Sequence, residues 1–127
     1  MKRRLFALAL ALLLAVSLPV SALARDWYID DGDITISATE NGQTVSQGNT
    51  TEADVAPVIK QRESSTSTDR VIKVIAEEDA TANVTLGGVN IDASSRGNNT
   101  AGICTTGDGN VTIELDGNNS VKSAVYA

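Results

Sequence analysis

One short phrase recurs along the chain and constrains its fold more than any other feature. It reads Asn-Val-Thr-Ile at 110–113, Asn-Val-Thr-Leu at 83–86 and Asp-Ile-Thr-Ile at 33–36, and a weaker form occupies 54–58. Alternating apolar and polar residues over such a stretch are typical of a half-buried β-strand. From first to last the copies are 21, 29 and 27 residues apart, a spacing at which self-similarity indicates a solenoid.

Further short runs rich in Val, Ile and Thr indicate other strands, separated by Gly, Asn and Asp. After residue 24 no stretch has the i, i+3, i+4 apolar spacing of an amphipathic helix. We therefore predict an all-β domain over 25–127, a right-handed parallel β-helix of about four coils that is incomplete at its C-terminus. The expected strands lie within 34–39, 55–59, 71–76, 82–86, 89–91, 101–104 and 110–115.

One local signal, Asn41-Gly42, keeps an antiparallel β-sandwich open as the alternative fold, and Pro57 gives a second, separate signal. Asn41-Gly42 is a strong hairpin signal, and a hairpin joins antiparallel strands. Pro57 cannot donate a ladder hydrogen bond, so the strand around it is expected to be irregular or at a sheet edge. Between these two signals, residues 44–54 are polar, and Val45 alone is suited to a core position.

Residues 1–24 have the three parts of a secretory signal peptide. A basic start at 2–4 precedes an apolar run at 5–16, and Ala22-Leu23-Ala24 matches the small-x-small pattern of a cleavage site. The apolar run is shorter than the roughly 20 residues that cross a bilayer. We expect the mature chain to be secreted, extracellular or at the cell surface, and free of the membrane after cleavage.

Charge and composition narrow the classes of partner and of chemistry. The whole chain has a net charge of -6, and after removal of residues 1–24 it keeps 7 basic and 16 acidic residues, a net charge of -9. Such a chain repels nucleic acid and anionic membrane surfaces. It contains no histidine, the usual general base. The single cysteine, Cys104, lies in an apparent strand and is expected to be a buried or half-buried thiol.

The densest acidic cluster, Asp30, Asp31 and Asp33, is the weak candidate for a metal site. Carboxylates this close could bind calcium through their oxygens, although the cluster lacks the ligand spacing of an EF-hand, and Asp31-Gly32 is also an ordinary turn. Just before it, Trp27-Tyr28 is either an aromatic platform for a sugar ring or an apolar plug on the first solenoid layer. We favour the plug, because the pair directly precedes the first repeat.

A second repeat supports stacked coils. Gly-Asn-Asn-Thr-Ala at 97–101 recurs as Gly-Asn-Asn-Ser-Val at 117–121. Asparagine tolerates left-handed backbone angles, and stacked amides can bond one layer to the next.

These motifs resemble a known group of proteins. The pattern G-x-V-T-I-E-L-D-G-x-N at 109–119, together with A-N-V-T-L-G-G-V-N-I-D at 82–92, is similar to the parallel β-helix repeats of secreted clostridial surface proteins. Such proteins are often described as carbohydrate-binding-domain or adhesin-like proteins. The resemblance implies a surface-associated binding protein in which further coils would follow residue 127.

The function expected from these features is that of a non-catalytic extracellular binding module. Regular rows of Asn, Thr and Asp on the solenoid would bind polysaccharide. A structural adhesin or stalk repeat without a small ligand is the alternative, since aromatic residues are scarce. A pectin-degrading β-helix enzyme is the least favoured, because only Asp92 and Arg96 suggest catalytic roles and no spacing singles them out. We assign no catalytic residue, name no ligand-binding residue, and expect self-association through an uncapped end.

Overall fold

The computed structural model describes residues 25–97 and 100–124. They form a β-solenoid of about three turns with parallel stacked strands, which confirms the predicted all-β solenoid fold. The predicted signal peptide, residues 1–24, lies outside the described residues. No helix in 25–97 or 100–124 has the length and hydropathy needed to cross a membrane.

Short strands and two 3-10 turns make up the described solenoid. The 3-10 turns span Ile29–Asp31 and Ser94–Arg96. The strands are β1 Asp26–Tyr28, β2 Ile34–Thr39, β3 Gly42–Gln47, β4 Thr50–Ala53, β5 Val58–Lys60, β6 Ile72–Ala76, β7 Thr81–Gly87, β8 Asn90–Asp92, β9 Ile103–Thr106, β10 Asn110–Asp116 and β11 Ser120–Lys122.

Three sheets run along the sides of the solenoid. Sheet A has the strand order β1-β5-β7-β10, sheet B the order β4-β3-β2-β6-β9, and sheet C pairs β8 with β11. Each turn passes through sheet A, then along the side of sheet C, and then through sheet B. In the second turn the segment on the sheet C side is not a strand, and a single β-bridge joins its Thr68 to Ile91 of the next turn. Strands β10 and β11 start a fourth layer on β7 and β8.

The register corrects the interpretation of the recurring phrase. The copy at 33–36 enters β2 on sheet B, whereas the copies at 83–86 and 110–113 lie on sheet A. Even these last two are offset, because Val84 stacks on Ile113, 29 positions later, rather than on Val111. The recurring phrase therefore indicates a strand with one buried face. The number of residues between its copies does not give the length of a coil.

A hairpin interrupts the parallel pattern where the sequence predicts it. Strands β2 and β3 pair antiparallel from Thr39 and Gly42 outward, so the turn is Glu40-Asn41, and β4 then pairs antiparallel with β3. The hairpin extends sheet B at one end of the solenoid, while β2 pairs in parallel with β6 and the strands of sheets A and C pair in parallel. The described residues form a parallel solenoid, so the sandwich alternative is wrong, although its sequence signal is real.

Aliphatic side chains from all three sheets fill a single core. Alternation along each strand directs one face inward. In β2 and β7, buried residues accordingly alternate with half-buried or exposed ones. Val45 is fully buried, as predicted. Strand β5 lies between β1 and β7 and is not an edge strand. It begins only after Pro57, so the predicted strand at 55–59 is irregular around the proline, whose carbonyl accepts from Thr85 N.

Cys104 is exposed, which overturns the prediction of a buried or half-buried thiol. The register gives the reason. Ile103 pairs with the buried Ile72 and packs on the core, so the next residue points outward, opposite the exposed Lys73. The parity of the strand, and not the apolar character of the thiol, decides its exposure.

Candidate binding surfaces

The outer surface of sheet B is flat, rich in hydroxyl groups and free of carboxylates. Its register aligns two rows of outward side chains across five strands. We call this surface the hydroxyl face; it consists of Thr35, Ser37 and Thr39 on β2, Thr44 and Ser46 on β3, Thr51 and Ala53 on β4, Lys73 and Ile75 on β6, and Cys104 and Thr106 on β9.

Sheet geometry spaces the hydroxyl groups of this face regularly. Neighbouring strands lie about 4.8 Å apart, and outward residues of one strand about 6.8 Å apart. One pair, Ser46 Oγ and Thr51 Oγ1, is already hydrogen bonded at 2.9 Å. A shallow depression of about 250 Å³ next to the β2–β3 turn is lined in part by Ser37, Thr39 and Thr44. The face thus offers repeated donors and acceptors with one charge, that of Lys73.

An acidic cleft of about 510 Å³ lies on the sheet C side of the solenoid. Its walls come from the 3-10 turn after β1, from the polar loop between β5 and β6, and from the segment that follows β8. From the sequence, the loop between β5 and β6 is predicted only to be exposed to solvent. Its position in the wall of a cleft is not predicted. The lining residues are Asp30, Gln61, Glu63, Thr66, Ser67, Thr68, Asp69, Asp92, Ser94 and Ser95.

The three candidate metal ligands are held by different partners. Asp30 accepts hydrogen bonds from the backbone N–H groups of Arg62 (2.9 Å) and Glu63 (3.4 Å). Asp31 forms a bidentate ion pair with the Arg62 guanidinium, at 2.6 and 3.1 Å. These two carboxylates therefore tie the first layer of the solenoid to the loop of the second.

Asp33 ties the first layer to the two layers after it. It accepts from Val71 N at 2.9 Å and forms a bidentate ion pair with the Arg96 guanidinium, both distances being 3.1 Å. Arg96 also donates to the Asp69 carbonyl at 3.0 Å. Asp33 has a half-exposed side chain, so water and salt screen this pair.

These contacts lower carboxylate pKa values by stabilising the charged form. The hydrogen bond from Arg62 lowers the pKa of Asp31, and the hydrogen bond from Arg96 lowers that of Asp33, with Val71 N–H adding to the second effect. The Ser94 hydroxyl, and then its backbone N–H, lower the pKa of Asp92. All three groups are therefore anionic at neutral pH.

Within the described part of the chain no three His, Cys, Asp or Glu side chains come together as a group that could hold a metal ion. Asp30 alone of the three candidate ligands lines the acidic cleft. Calcium binding by Asp30, Asp31 and Asp33 stays a prediction.

The structure directs Asp92 and Arg96 to separate partners. Asp92 Oδ1 accepts from the Ser94 hydroxyl at 2.6 Å and from Ser94 N at 3.0 Å. The Arg96 guanidinium is occupied by Asp33. The arrangement fixes the turn at 94–96 and aligns no acid–base pair between these two residues.

Of the two adjacent aromatic residues, Trp27 packs inside and Tyr28 lies outside. Trp27 is 2% exposed and belongs to the core, as the plug interpretation predicts. Tyr28 has the opposite parity, is half-buried, and carries the Arg62 guanidinium 4.0 Å from its ring centroid. Trp27 is therefore closed to a sugar ring, and Arg62 occupies one face of Tyr28.

Buried polar residues at the hairpin end are the feature that the sequence does not predict. Asp54 is 1% exposed and accepts from Arg25 N, Trp27 Nε1 and Ala56 N, at 3.1, 3.0 and 3.0 Å. Gln43 bonds both the N–H and the carbonyl of Asn83, at 2.8 and 2.9 Å, and donates to the Asp54 carbonyl. Both residues look like surface positions in a polar stretch; only the alternation through Val45 hints that Gln43 points inward.

An asparagine at the second corner bonds adjacent layers, as the repeat predicts. Asn119 Oδ1 accepts from Gly88 N and Val89 N, both at 2.9 Å, and its Nδ2 donates to the Leu86 carbonyl at 3.1 Å. Gln61 has the matching role one layer earlier, where its Oε1 accepts from Asn90 N at 2.7 Å. These amides stabilise the stack and are satisfied within the protein.

Comparisons of the chain with protein-family models, with curated proteins and with solved structures find no match. The surfaces are therefore interpreted from their own geometry and chemistry.

Proposed function

We propose that this chain is a non-catalytic, exported binding module that holds an uncharged, repetitive polysaccharide on the hydroxyl face. The observation that carries the proposal is the absence of any carboxylate among the outward residues of that face, in a chain with 16 acidic residues. The signal-peptide pattern at 1–24 supports export.

The chemistry of the hydroxyl face matches that of a neutral glycan. Sugar hydroxyls donate and accept hydrogen bonds, as Ser and Thr side chains do. Each such bond is worth only about 1 kcal/mol net, because water competes for both partners. A regular face compensates by repeating the contact along a polymer, which favours long or insoluble glycans over free oligosaccharides.

Acidic polymers suit this molecule less well. The mature chain carries a net charge of -9, and the acidic cleft adds carboxylates at one side of the solenoid. A uronic-acid polymer would be repelled unless a divalent cation bridged the two carboxylate sets. Binding to polygalacturonate is therefore expected only with calcium, and a chelator should abolish it.

The second candidate is a structural stalk or adhesin repeat without a glycan ligand. The observation that favours it is the burial of Trp27, together with the stacking of Arg62 on one face of Tyr28, because both reduce the aromatic surface available to a sugar. In that case the solenoid would act as a spacer, and its outer faces would need only to be soluble.

A pull-down on insoluble neutral polysaccharides tests the proposal. The mature protein should sediment with at least one of cellulose, chitin or mannan, and the Thr44→Lys/Thr106→Lys variant should lose most of that binding. Both positions are exposed and lie in one row of the hydroxyl face, so the substitutions disturb the surface and not the core.

The matched control is Thr81→Lys/Thr112→Lys, two exposed threonines on the outer surface of sheet A. This variant adds the same charge and should keep wild-type binding. Absence of wild-type binding to every neutral polysaccharide in a glycan array and in pull-downs would favour the stalk. Equal loss in both variants would show that added charge, and not the hydroxyl face, decides binding.

A further inference from the structure

The hydroxyl face is long across the strands of sheet B and narrow along them. Its outward side chains form two rows, and each row crosses all five strands. Strands β4 and β9 lie about 19 Å apart at the usual spacing of about 4.8 Å, whereas the two rows are only about 6.8 Å apart. One row runs from Thr51 through Thr35 to Cys104, and the other runs from Ala53 through Ser37 to Thr106.

Carboxylates flank the face at both ends of its short direction. Asp33 directly precedes β2 and Glu40 directly follows it, while Glu77 directly follows β6. Ionised carboxylates are costly to strip of water. A neutral chain laid along one strand would therefore leave the hydroxyl face after about two side chains and meet these charges. A chain laid across the strands would stay on the two rows.

Every strand of the face supplies at least one side chain that hydrogen bonds well to a sugar. Strands β2 and β3 each carry two hydroxyl groups, and Thr51, Lys73 and Thr106 serve β4, β6 and β9. The outward Ala53 and Ile75 add apolar surface beside them, which suits the C–H groups of a sugar ring. A polymer that crosses the strands thus finds a partner at each step.

Building on the function proposed above, we propose that the hydroxyl face binds an extended β-1,4-linked glycan, which lies across the strands with about one sugar ring per strand. Such a chain advances by about 5 Å per ring, close to the strand spacing of about 4.8 Å. It is a flat ribbon with hydroxyl groups along both edges. One chain can therefore reach both rows of the face at once.

Glycans that coil fit this face less well. The register pairs one residue with one residue across all five strands, so the face contacts a coil along a narrow line. An α-1,4-linked or a β-1,3-linked glucan turns away from such a face after few rings. Each hydrogen bond to a sugar contributes only about 1 kcal/mol net, so losing the contacts on several strands removes most of the affinity.

A comparison of linkages tests the ligand class. The mature protein should sediment with at least one of the β-1,4-linked solids cellulose, chitin and β-mannan, and at least several-fold less with α-1,4-linked starch and β-1,3-linked curdlan. Equal binding to the coiled glucans through the hydroxyl face overturns this inference and leaves the proposed function standing. Failure to bind any neutral glycan overturns both.

A length series tests the direction of the bound chain. Soluble oligosaccharides of the preferred β-1,4-linked glycan compete with the solid, and competition should strengthen at each step from about two rings to about five, because each added ring reaches another strand. A chain that lay along one strand would gain nothing beyond about two rings. A series that levels off there overturns the inference, even if the linkage preference holds.

Single substitutions at opposite sides of the face sharpen this test. Thr51→Lys on β4 and Thr106→Lys on β9 change exposed positions, so the fold should be kept. Each should weaken competition by the five-ring oligosaccharide at least several-fold more than competition by the two-ring one. Thr112→Lys, on the exposed surface of sheet A, is the matched control and should match the wild type. Variants on β4 and β9 that behave like this control overturn the inference.

Discussion

At the hairpin end of the solenoid, hydrogen-bonded polar side chains cover the first layer, whereas aliphatic side chains are exposed in the last described layer, β10 and β11. The hairpin β3–β4 extends sheet B over the first layer, and buried polar side chains join it to β1 and β7. Strands β10 and β11 leave aliphatic side chains in contact with solvent. The difference teaches that hydrogen-bonded polar groups can cover a solenoid layer, and that aliphatic positions of the same strand parity differ in burial from layer to layer.

The largest expected effect is at the hairpin end. Asp54→Ala removes the acceptor of three N–H groups, the buried Trp27 Nε1 and the part-buried Arg25 N and Ala56 N. We expect the free energy of unfolding to fall by about 3 kcal/mol or more. Urea denaturation followed by tryptophan fluorescence measures it.

The matched change in the last described layer is Asp116→Ala, on the exposed surface of β10. Its effect should stay within about 0.5 kcal/mol, as for most surface substitutions. Asp54→Asn, which keeps one carbonyl oxygen, should lie between the two. A loss below about 1 kcal/mol for Asp54→Ala would mean that the buried carboxylate does not hold the hairpin end together.

The next effect compares two leucines that stack on each other. Leu86 and Leu115 are partners in the register of β7 and β10, yet Leu86 is 2% exposed and Leu115 is 69% exposed. Leu86→Ala should cost about 3 kcal/mol of stability through lost burial and a cavity, and Leu115→Ala less than about 1 kcal/mol. Thermal unfolding in dilute solution checks both. Similar losses for the two variants would show that another part of the chain covers Leu115.

The smallest effect concerns the ion pair that spans the layers between the two ends. Arg96 lowers the folded-state pKa of Asp33, so this carboxylate stabilises the fold above its ordinary pKa, and the stabilisation is lost as pH falls through the lowered value. Because the pair is partly exposed, Asp33→Asn should cost only about 0.5–1 kcal/mol at neutral pH.

The pH dependence separates this pair from a general effect of acid. The stability difference between wild type and Asp33→Asn should shrink as pH falls through the lowered pKa of Asp33, because protonated Asp33 no longer pairs with Arg96. Chemical denaturation at several pH values measures the difference, with Asp116→Asn as the control for loss of an exposed carboxylate on β10. A gap that widens in acid would contradict the ion pair.

How far the sequence could predict these features depends on whether a residue's role is decided within its own strand. Runs of apolar and β-branched residues predicted β2 and β5 to β10, and the Asn41-Gly42 dipeptide predicted the hairpin, since each depends on neighbours in sequence. The polar strands β3 and β4 were not predicted, apart from the core position of Val45. The same rule, applied to registers that only the fold sets, failed for Cys104 and for the repeat length. Val84 stacks on Ile113 because the turns between them set the offset.

The candidate surfaces were harder to predict for the same reason. No local pattern shows that Thr35, Thr44 and Thr106, from three separate segments, share one flat face; the sheet register brings them together. Likewise, Asp54 reads as one more surface carboxylate until Trp27 and Arg25, some 27 and 29 positions earlier, are placed against it. Long-range pairing carries that information, and sequence periodicity does not.

The hairpin on sheet B has a consequence for engineering the length of this domain. Strands β3 and β4 cover the edge of sheet B beyond β2. Extra turns could therefore be inserted between β9 and β10 without disturbing the buried Asp54 and Gln43. A copied turn inserted there would lengthen the rod by about 4.8 Å, carrying the hydroxyl rows with it. The length of the domain can thus be changed by adding turns after β9, while the hairpin end stays the same.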